Sequence, residues 1–276
     1  MNYYKNIDAT VEAAIAEDVG AGDLTAYLIN KDSISSAHVI TREEAVICGR
    51  PWVDKVFGLI DIDIKIEWLI DEGQVVKAGD IIFEVEGRTQ NLLTAERTAL
   101  NFLQTLSATA TKTNKFCNLI AHTNAKLLDT RKTIPGLRLA QKYAVKKGGG
   151  YNHRAGLYDA FLIKENHITA SGSIAEAARL ARETSPNSRL EIEVEDLDQL
   201  SLAMECNPDW VMLDNFSIED IRIAVEHTNK TVKLEASGGI ETNEHLIKIA
   251  ETKVDYISMG ALTKHCQAVD FSMLFN

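Results

Sequence analysis

The stretch LEIEVEDLDQLSLAMECNPDWVMLDNFSIEDIRIAVEHTNKTVKLEASGG, residues 190–239, decides the fold. Three short apolar runs, LEIEVE (190–195), WVMLD (210–214) and KLEASG (233–238), are separated by amphipathic segments such as IEDIRIAVEHT (218–228). Runs of that length read as strands and the segments between them as helices, and strands joined by helical crossovers lie parallel. Outward from this stretch, KLLD (126–129) and AFLIK (160–164) precede it and DYISMG (255–260) follows it with the same alternation. At roughly 25 residues per unit, about 150 residues cannot supply the eight repeats of a full barrel, which needs about 250. The expectation is an α/β protein whose second half is a smaller, incomplete α/β barrel of six or seven strands.

The first hundred residues follow a different rule. An amphipathic helix is predicted near Ile7–Val19, with strand-like alternation at Ala37–Thr41 and Ile62–Leu69, giving an α+β unit. DEGQVVKAGDIIFEVEG (71–87) sets Gly73 and Gly79 at turns between β-branched runs, a hairpin pattern shared with lipoyl and biotinyl carrier modules. A carrier needs a modifiable lysine on an exposed turn, and the following RTQNLL offers none, so the segment is predicted as strands of a small sheet. LLTAERTALNFLQTLSATATKT (92–113) carries Leu100, Leu103 and Leu106 at helical spacing, so one or two helices are expected to lead from a domain at 1–108 into the barrel at 109–264.

With 276 residues, 45% hydrophobic and 25% charged, the chain is long enough to bury a sizeable core. Cys48, Cys117, Cys206 and Cys266 stand far apart, with no CxxC pair, which points away from a zinc site or a disulfide framework and toward a reducing cytoplasm. Lys5, Asp8, Glu12, Glu17 and Asp18 interrupt the opening residues, so no secretory segment is expected. No stretch approaches the roughly 18 apolar residues of a membrane span, and a soluble protein is expected. The net charge of −11 argues against nucleic acid or an anionic membrane as a general partner. Against that background Arg131, Lys132, Arg138, Lys142, Lys146, Lys147, Arg154 and Lys164 form a basic island holding one acid, Asp159. The island suits a small polyanion; Lys142, Lys146 and Lys147 also fit a solvated helix face.

Polar residues stand at or just past the carboxyl end of nearly every barrel strand, where the mouth of a parallel α/β barrel gathers its ligands. Ser237-Gly238-Gly239 and Gly260-Ala261 are small-residue turns whose backbone amides could close on a phosphate, although a single GG turn is as readily a tight loop. Glu193 and Asp214 end adjacent strands and suit magnesium or ribose hydroxyls; in isolation either could equally cap the next helix. Arg131, Lys132, His153, Arg154 and Lys164 supply guanidiniums for carboxylates and point charges for pyrophosphate. A lone histidine is more often structural, but His153 lies between Asn152 and Arg154, and Gly148-Gly149-Gly150 before it demands a tight or flexible backbone.

LLDTRKTIPGLRLAQKYAVKKGGGYNHR (127–154), DAFLIKENHI (159–168), EIEVEDLDQL (191–200), MLDNF (212–216) and ISMGALTKHCQAVDFSM (257–273) resemble the quinolinate phosphoribosyltransferase family. EDVGAGDLTA (17–26), VITREEAVICG (39–49) and ERTALNFLQTLS (96–107) extend the likeness over nearly the whole chain. The resemblance implies an N-terminal open α/β sandwich domain, an incomplete barrel, and residues 265–276 returning to the first domain. It implies the conversion of quinolinate and phosphoribosyl pyrophosphate to nicotinate mononucleotide, pyrophosphate and CO2 in NAD biosynthesis, with Mg2+ as cofactor. It also implies a homodimer in which Arg97 reaches the neighbour's site.

On the same footing Arg97, Arg131, His153, Arg154 and Lys164 would bind quinolinate, with Lys132, Lys164, Glu193 and Asp214 as the catalytic set. Lys132, Glu193, Asp214, Ser237, Gly238, Gly239, Gly260, Ala261 and Lys264 would hold phosphoribosyl pyrophosphate, and Glu193 and Asp214 its magnesium, directly or through water. Ala108 replaces a family glycine, Lys264 stands where some members have histidine, and Tyr151 and Tyr158 fill positions that are often small or aliphatic. A same-fold enzyme for nicotinate, or a molybdenum-transport-associated relative, is the competing reading; nicotinate's single carboxylate would not need so many cations. A carrier or binding protein built on the 71–87 segment is the competitor from another class.

Overall fold

In β1 (Ile34–Thr41) every second side chain from Ala37 onward is buried, the period-two pattern of a strand with one covered face. A computed structural model of the chain describes residues 1–240 and 242–276. They form two units, one of Met1–Asn114, Thr133–Gly149 and Leu262–Asn276, the other of Lys115–Lys132 and Gly150–Ala261.

The N-terminal unit holds α1 (Ile7–Val19), β2 (Ala45–Val46), α2 (Arg50–Ile60), β3 (Lys65–Trp68), β4 (Val75–Val76), β5 (Ile81–Arg88) and most of α3 (Thr89–Leu119). It also takes α4 (Arg138–Lys147) and the last strand, β12 (Phe271–Phe275). The antiparallel sheet runs β12-β1-β5-β3, with Val39 opposite both Phe83 and Met273. The 71–87 segment supplies sheet strands as expected, but its hairpin-like pattern does not close on itself: β4 pairs with β2, while β5 pairs with β1 and β3. Gly73 and Gly79 do lie in turns, but strand partners are chosen by which apolar faces meet. Along α3, Leu92, Ala95, Ala99, Leu103, Leu106 and Ala110 recur at steps of three and four and are fully buried. Burial of each leucine there contributes roughly 1.5–3 kcal/mol. The Ser107 hydroxyl bonds both the amide and the carbonyl of Cys48, locking this helix to the segment after β2. Ala108 is buried inside an uninterrupted helix, where alanine is favoured over glycine by about 1 kcal/mol.

The N-terminal unit runs past the expected boundary at 108 to Asn114 and also takes in Thr133–Gly149. The reason is apolar: Ala140, Tyr143 and Ala144 of α4 join the same buried cluster as Trp52 and Val269. Lys142 on that helix is fully buried, so the solvated-face reading holds for Lys146 and not for Lys142. The basic island therefore divides, with Arg138, Lys142, Lys146 and Lys147 on α4 and the other four cations in the second unit.

The second unit contains β6 (Lys126–Leu128), β7 (Phe161–Ile163), β8 (Leu190–Val194), β9 (Trp210–Asp214), β10 (Lys233–Ser237) and β11 (Tyr256–Ser258). They form one parallel sheet in the order β6-β11-β10-β9-β8-β7. Tyr151 adds a parallel bridge to Leu128 on the free edge of β6, and Lys126 lies over its ring. The helices α5 (Glu165–Ser171), α6 (Ile174–Thr184), α7 (Leu197–Glu205), α8 (Ile218–Thr228) and α9 (Asn243–Ala250) are the crossovers, and α10 (Ala261–Lys264) follows β11. Ser173, Asp196, Ser217 and Thr242 cap α6 to α9 by accepting the N3 amide. Capping is thus done by Asp196 and Ser217, which leaves Glu193 and Asp214 for another use. No helix among the described residues is long and apolar enough to cross a membrane.

Candidate active site

Side chains alternate across a strand, so Leu190, Ile192 and Val194 of β8 turn to one side of the sheet and Glu191 and Glu193 to the other. The same alternation pairs Met212 with Asp214 on β9, Glu235 with Ser237 on β10, and puts Ser258 on that side of β11. These residues, with Thr130, Arg131 and Lys132 after β6 and with His153, Arg154, Leu162 and Lys164, line one cavity of about 420 Å3. Residues that follow edge strand β6 and residues in and after edge strand β7 meet there, the convergence expected where a curled parallel sheet brings its carboxyl ends together. A larger cavity in the N-terminal unit, about 620 Å3, is lined by Glu17, Asp18 and neutral residues with no lysine or arginine, and does not suit an anion.

The cavity is divided by charge. On one side, burial and the nearby Arg131 guanidinium both lower the pKa of Arg154, whose Nη1 donates to the Ala160 carbonyl at 3.0 Å. Two guanidiniums held close in a partly desolvated place favour an anion between them. On the other side, burial raises the pKa of Glu193, the Lys164 ammonium bonded to it opposes the rise, and the charge of Asp214 adds to it. Asp214 is held by the Asn215 side-chain amide, which donates to Oδ2 at 2.9 Å, while the Asn215 backbone amide donates to the Ser237 carbonyl. Asn215 has a positive φ of 57° and lies so close to Gly238 that a Cβ there would fall 2.2 Å from its Oδ1. Gly260 is closed in the same way, since a Cβ would meet Cδ of Lys132 at 2.9 Å. Gly238 is demanded by its positive φ of 92° and by the Asn215 backbone amide, 2.9 Å from where its Cβ would stand, whereas the obstacle at Gly260 is a lysine side chain that can move aside.

His153 differs from the other cations. It is 6% exposed, its Nε2 lies 2.8 Å from Glu191 and 3.3 Å from Glu235, and its backbone amide donates to Asp129. Burial alone would lower its pKa, but the two carboxylates outweigh that and push it up to about 9.

Two adjoining stretches match described families: residues 23–107 match Quinolinate phosphoribosyl transferase, N-terminal domain, and residues 109–274 match Quinolinate phosphoribosyl transferase, C-terminal domain. The chain belongs to the quinolinate phosphoribosyltransferase family. A relative from Bacillus subtilis, described as a probable nicotinate-nucleotide pyrophosphorylase [carboxylating], is 40% identical over 93% of this chain and 89% of its own. The solved nicotinate-nucleotide pyrophosphorylase from Francisella tularensis superposes with a TM-score of 0.95 at 50% identity, covering 98% of this chain and 96% of that one. The one from Ehrlichia chaffeensis gives 0.93 at 35% identity, covering 97% and 98%.

In this quinolinate phosphoribosyltransferase family member the structure brings eight of the site residues expected from sequence into one cavity: Arg131, Lys132, His153, Arg154, Lys164, Glu193, Asp214 and Ser237. Gly238, Gly239, Gly260 and Ala261 follow β10 and β11 in the same unit without lining it. Arg97 and Lys264 belong to the N-terminal unit; Arg97 is exposed, with Glu96 at 4.0 Å, and Lys264 contacts His265. Glu191, Glu235 and Ser258 were not singled out in the sequence. Each stands two residues before a position that was, Glu193, Ser237 and Gly260, so the period of two would have found them. Tyr158 is 85% exposed with its ring against Gly156, and nothing in the structure gives it a chemical role.

Proposed function

We propose that this cavity binds quinolinate beside phosphoribosyl pyrophosphate and joins them to give nicotinate mononucleotide, pyrophosphate and carbon dioxide, the decarboxylating pentosyl transfer of de novo NAD biosynthesis. The observation that carries the assignment of roles is that one cavity gathers the neighbouring guanidiniums Arg131 and Arg154 and the neighbouring carboxylates Glu193 and Asp214. Guanidiniums match carboxylates in a bidentate way, and two carboxylates on a pyridine ring account for more than one of them. The exchange forms a bond from the pyridine nitrogen to ribose C1′ while the bond to pyrophosphate breaks. The ring nitrogen is then cationic, so the C2–carboxylate bond can break with its electron pair left on the carbon beside that charge, to be taken up by a proton. In this reading Lys132 stabilises the charge of the departing pyrophosphate, and Lys164 spans the two halves through its ion pair with Glu193.

Magnesium fits the donor set: Glu193 and Asp214 are hard oxygen ligands whose charges oppose each other, and a divalent cation relieves that repulsion. When bound, it supplies charge neutralisation for the pyrophosphate. The enzyme is proposed to act as a cytoplasmic homodimer, in which the exposed guanidinium of Arg97 completes the neighbour's site. Purified protein assayed with quinolinate, nicotinate or nicotinamide, each with phosphoribosyl pyrophosphate and magnesium, tests the reading. Quinolinate should be consumed with stoichiometric release of carbon dioxide; turnover of nicotinate at comparable efficiency without carbon dioxide would overturn it.

A further inference from the structure

Beneath the proposed quinolinate pocket lies a buried ionic cluster that the reaction scheme above does not use. His153 belongs to the short segment that starts at the Tyr151–Leu128 bridge and leads into β7, between the two edge strands of the open sheet. From there its ring reaches across to β8 and β10, where Glu191 and Glu235 are both fully buried. Nε2 bonds Glu191 and lies 3.3 Å from Glu235 in an ion pair, so that N–H is committed to the carboxylates behind the ring, and the ring brings positive charge to the pocket it lines. The surroundings hold it there. Asp129 takes its backbone amide, the Trp210 ring meets it edge-on at 6.3 Å, and Arg189 sits over Trp210 with a guanidinium nitrogen 3.9 Å from Glu191. Arg154 follows in the chain, and Arg131 and Lys164 line the same cavity.

We propose that Glu191 and Glu235 are positioning residues that clamp His153 from inside the barrel, fixing it as a cation at the floor of the quinolinate pocket. The inference rests on the assignment of that pocket to quinolinate. A charge-assisted bond to a buried carboxylate holds a ring more firmly than solvent could, and a cation fixed in advance gives up little conformational freedom when the anion binds. The raised pKa of His153 agrees with this geometry. Burial and the charge of Glu191 push the pKa of Glu235 up, and the His153 cation between the two carboxylates opposes that rise.

The test uses the whole enzyme and Glu191→Gln, His153→Gln and the double variant, with KM for each substrate and kcat measured from pH 6 to 9 and thermal unfolding as a check on folding. Glu191→Gln should raise the quinolinate KM about tenfold, more at pH 8 than at pH 6, because an imidazole without its clamp falls back toward the ordinary value of 6.5 while the wild type holds its proton up to about 9. The KM for phosphoribosyl pyrophosphate should stay within about twofold, and Glu191→Gln should add nothing in the His153→Gln background, the mark of two residues acting through one contact. A folded Glu191→Gln enzyme with unchanged quinolinate KM, or with an effect that adds to that of His153→Gln, overturns the clamp. If His153→Gln itself leaves the quinolinate KM unchanged, the placement of quinolinate over His153 fails instead. Should Glu191→Gln fail to fold, Glu235→Gln read in the same cycle decides the matter by the same criterion of coupling.

Discussion

At the scale of single residues, His153 makes the stability of the protein depend on pH in a direction that can be stated. Its folded pKa is raised to about 9 from an ordinary value of 6.5. A raised histidine contributes in full below the unfolded value and loses that contribution as pH climbs through the folded one. The thermal midpoint should therefore fall between pH 7 and pH 9.5. His153→Gln should be less stable at pH 6, because it leaves Glu191 and Glu235 buried without their cation, yet show a flatter decline. Scanning calorimetry across that range checks both expectations. The carboxylate side gives a separate prediction. Glu193→Gln and Asp214→Asn should each weaken magnesium-dependent binding of phosphoribosyl pyrophosphate by tenfold or more, as expected for about 1.4 kcal/mol or more of lost charged contact, while quinolinate binding changes less. Titration calorimetry that finds metal-dependent binding intact in both variants contradicts the assignment.

At the scale of elements, the molecule depends on close backbone approaches that only glycine permits. Gly148 ends α4 where a Cβ would stand 2.4 Å from the Ala110 carbonyl oxygen and 2.7 Å from Cβ of Thr113, both on α3. The obstacle on one side is backbone, which cannot swing aside as a flexible side chain would. Gly148→Ala should destabilise the protein by about 1–3 kcal/mol, the usual cost of overpacking, and lower the thermal midpoint by several degrees. An unchanged midpoint would mean that α3 and α4 can separate at no cost. The parallel strands show the opposite economy: β8 to β11 turn alternate residues toward the cavity, polar ones except for Met212, and the intervening apolar ones to the other side, so one alternating run builds core and site together.

For the whole molecule, the exposed Arg97 guanidinium bears on assembly. If it completes a neighbour's site, Arg97→Ala should be folded, dimeric and nearly inactive, with a loss of about 1.5–3 kcal/mol of binding from one charged contact. Mixing it with Lys164→Ala should restore activity, since a mixed dimer gathers both lesions in one site and leaves the other whole. Random reassortment makes half the dimers mixed, so recovery should approach about a quarter of the wild-type value. No recovery despite verified exchange of subunits would confine Arg97 to its own chain. The alternation that starts from residues 190–239 was enough, by itself, to set out the parallel strands, their crossover helices and the polar residues at their carboxyl ends, because strand and helix periods are local and are written in consecutive side chains. Family likeness named the chemistry. Pairing and grouping were decided only in three dimensions: β4 joined β2 instead of β5, α4 joined the N-terminal core, and Lys142 was buried with it. Glu191 and Glu235 likewise acquired their meaning from a histidine 38 and 82 residues away in the chain, since a buried charge is defined by what surrounds it and not by its neighbours in sequence.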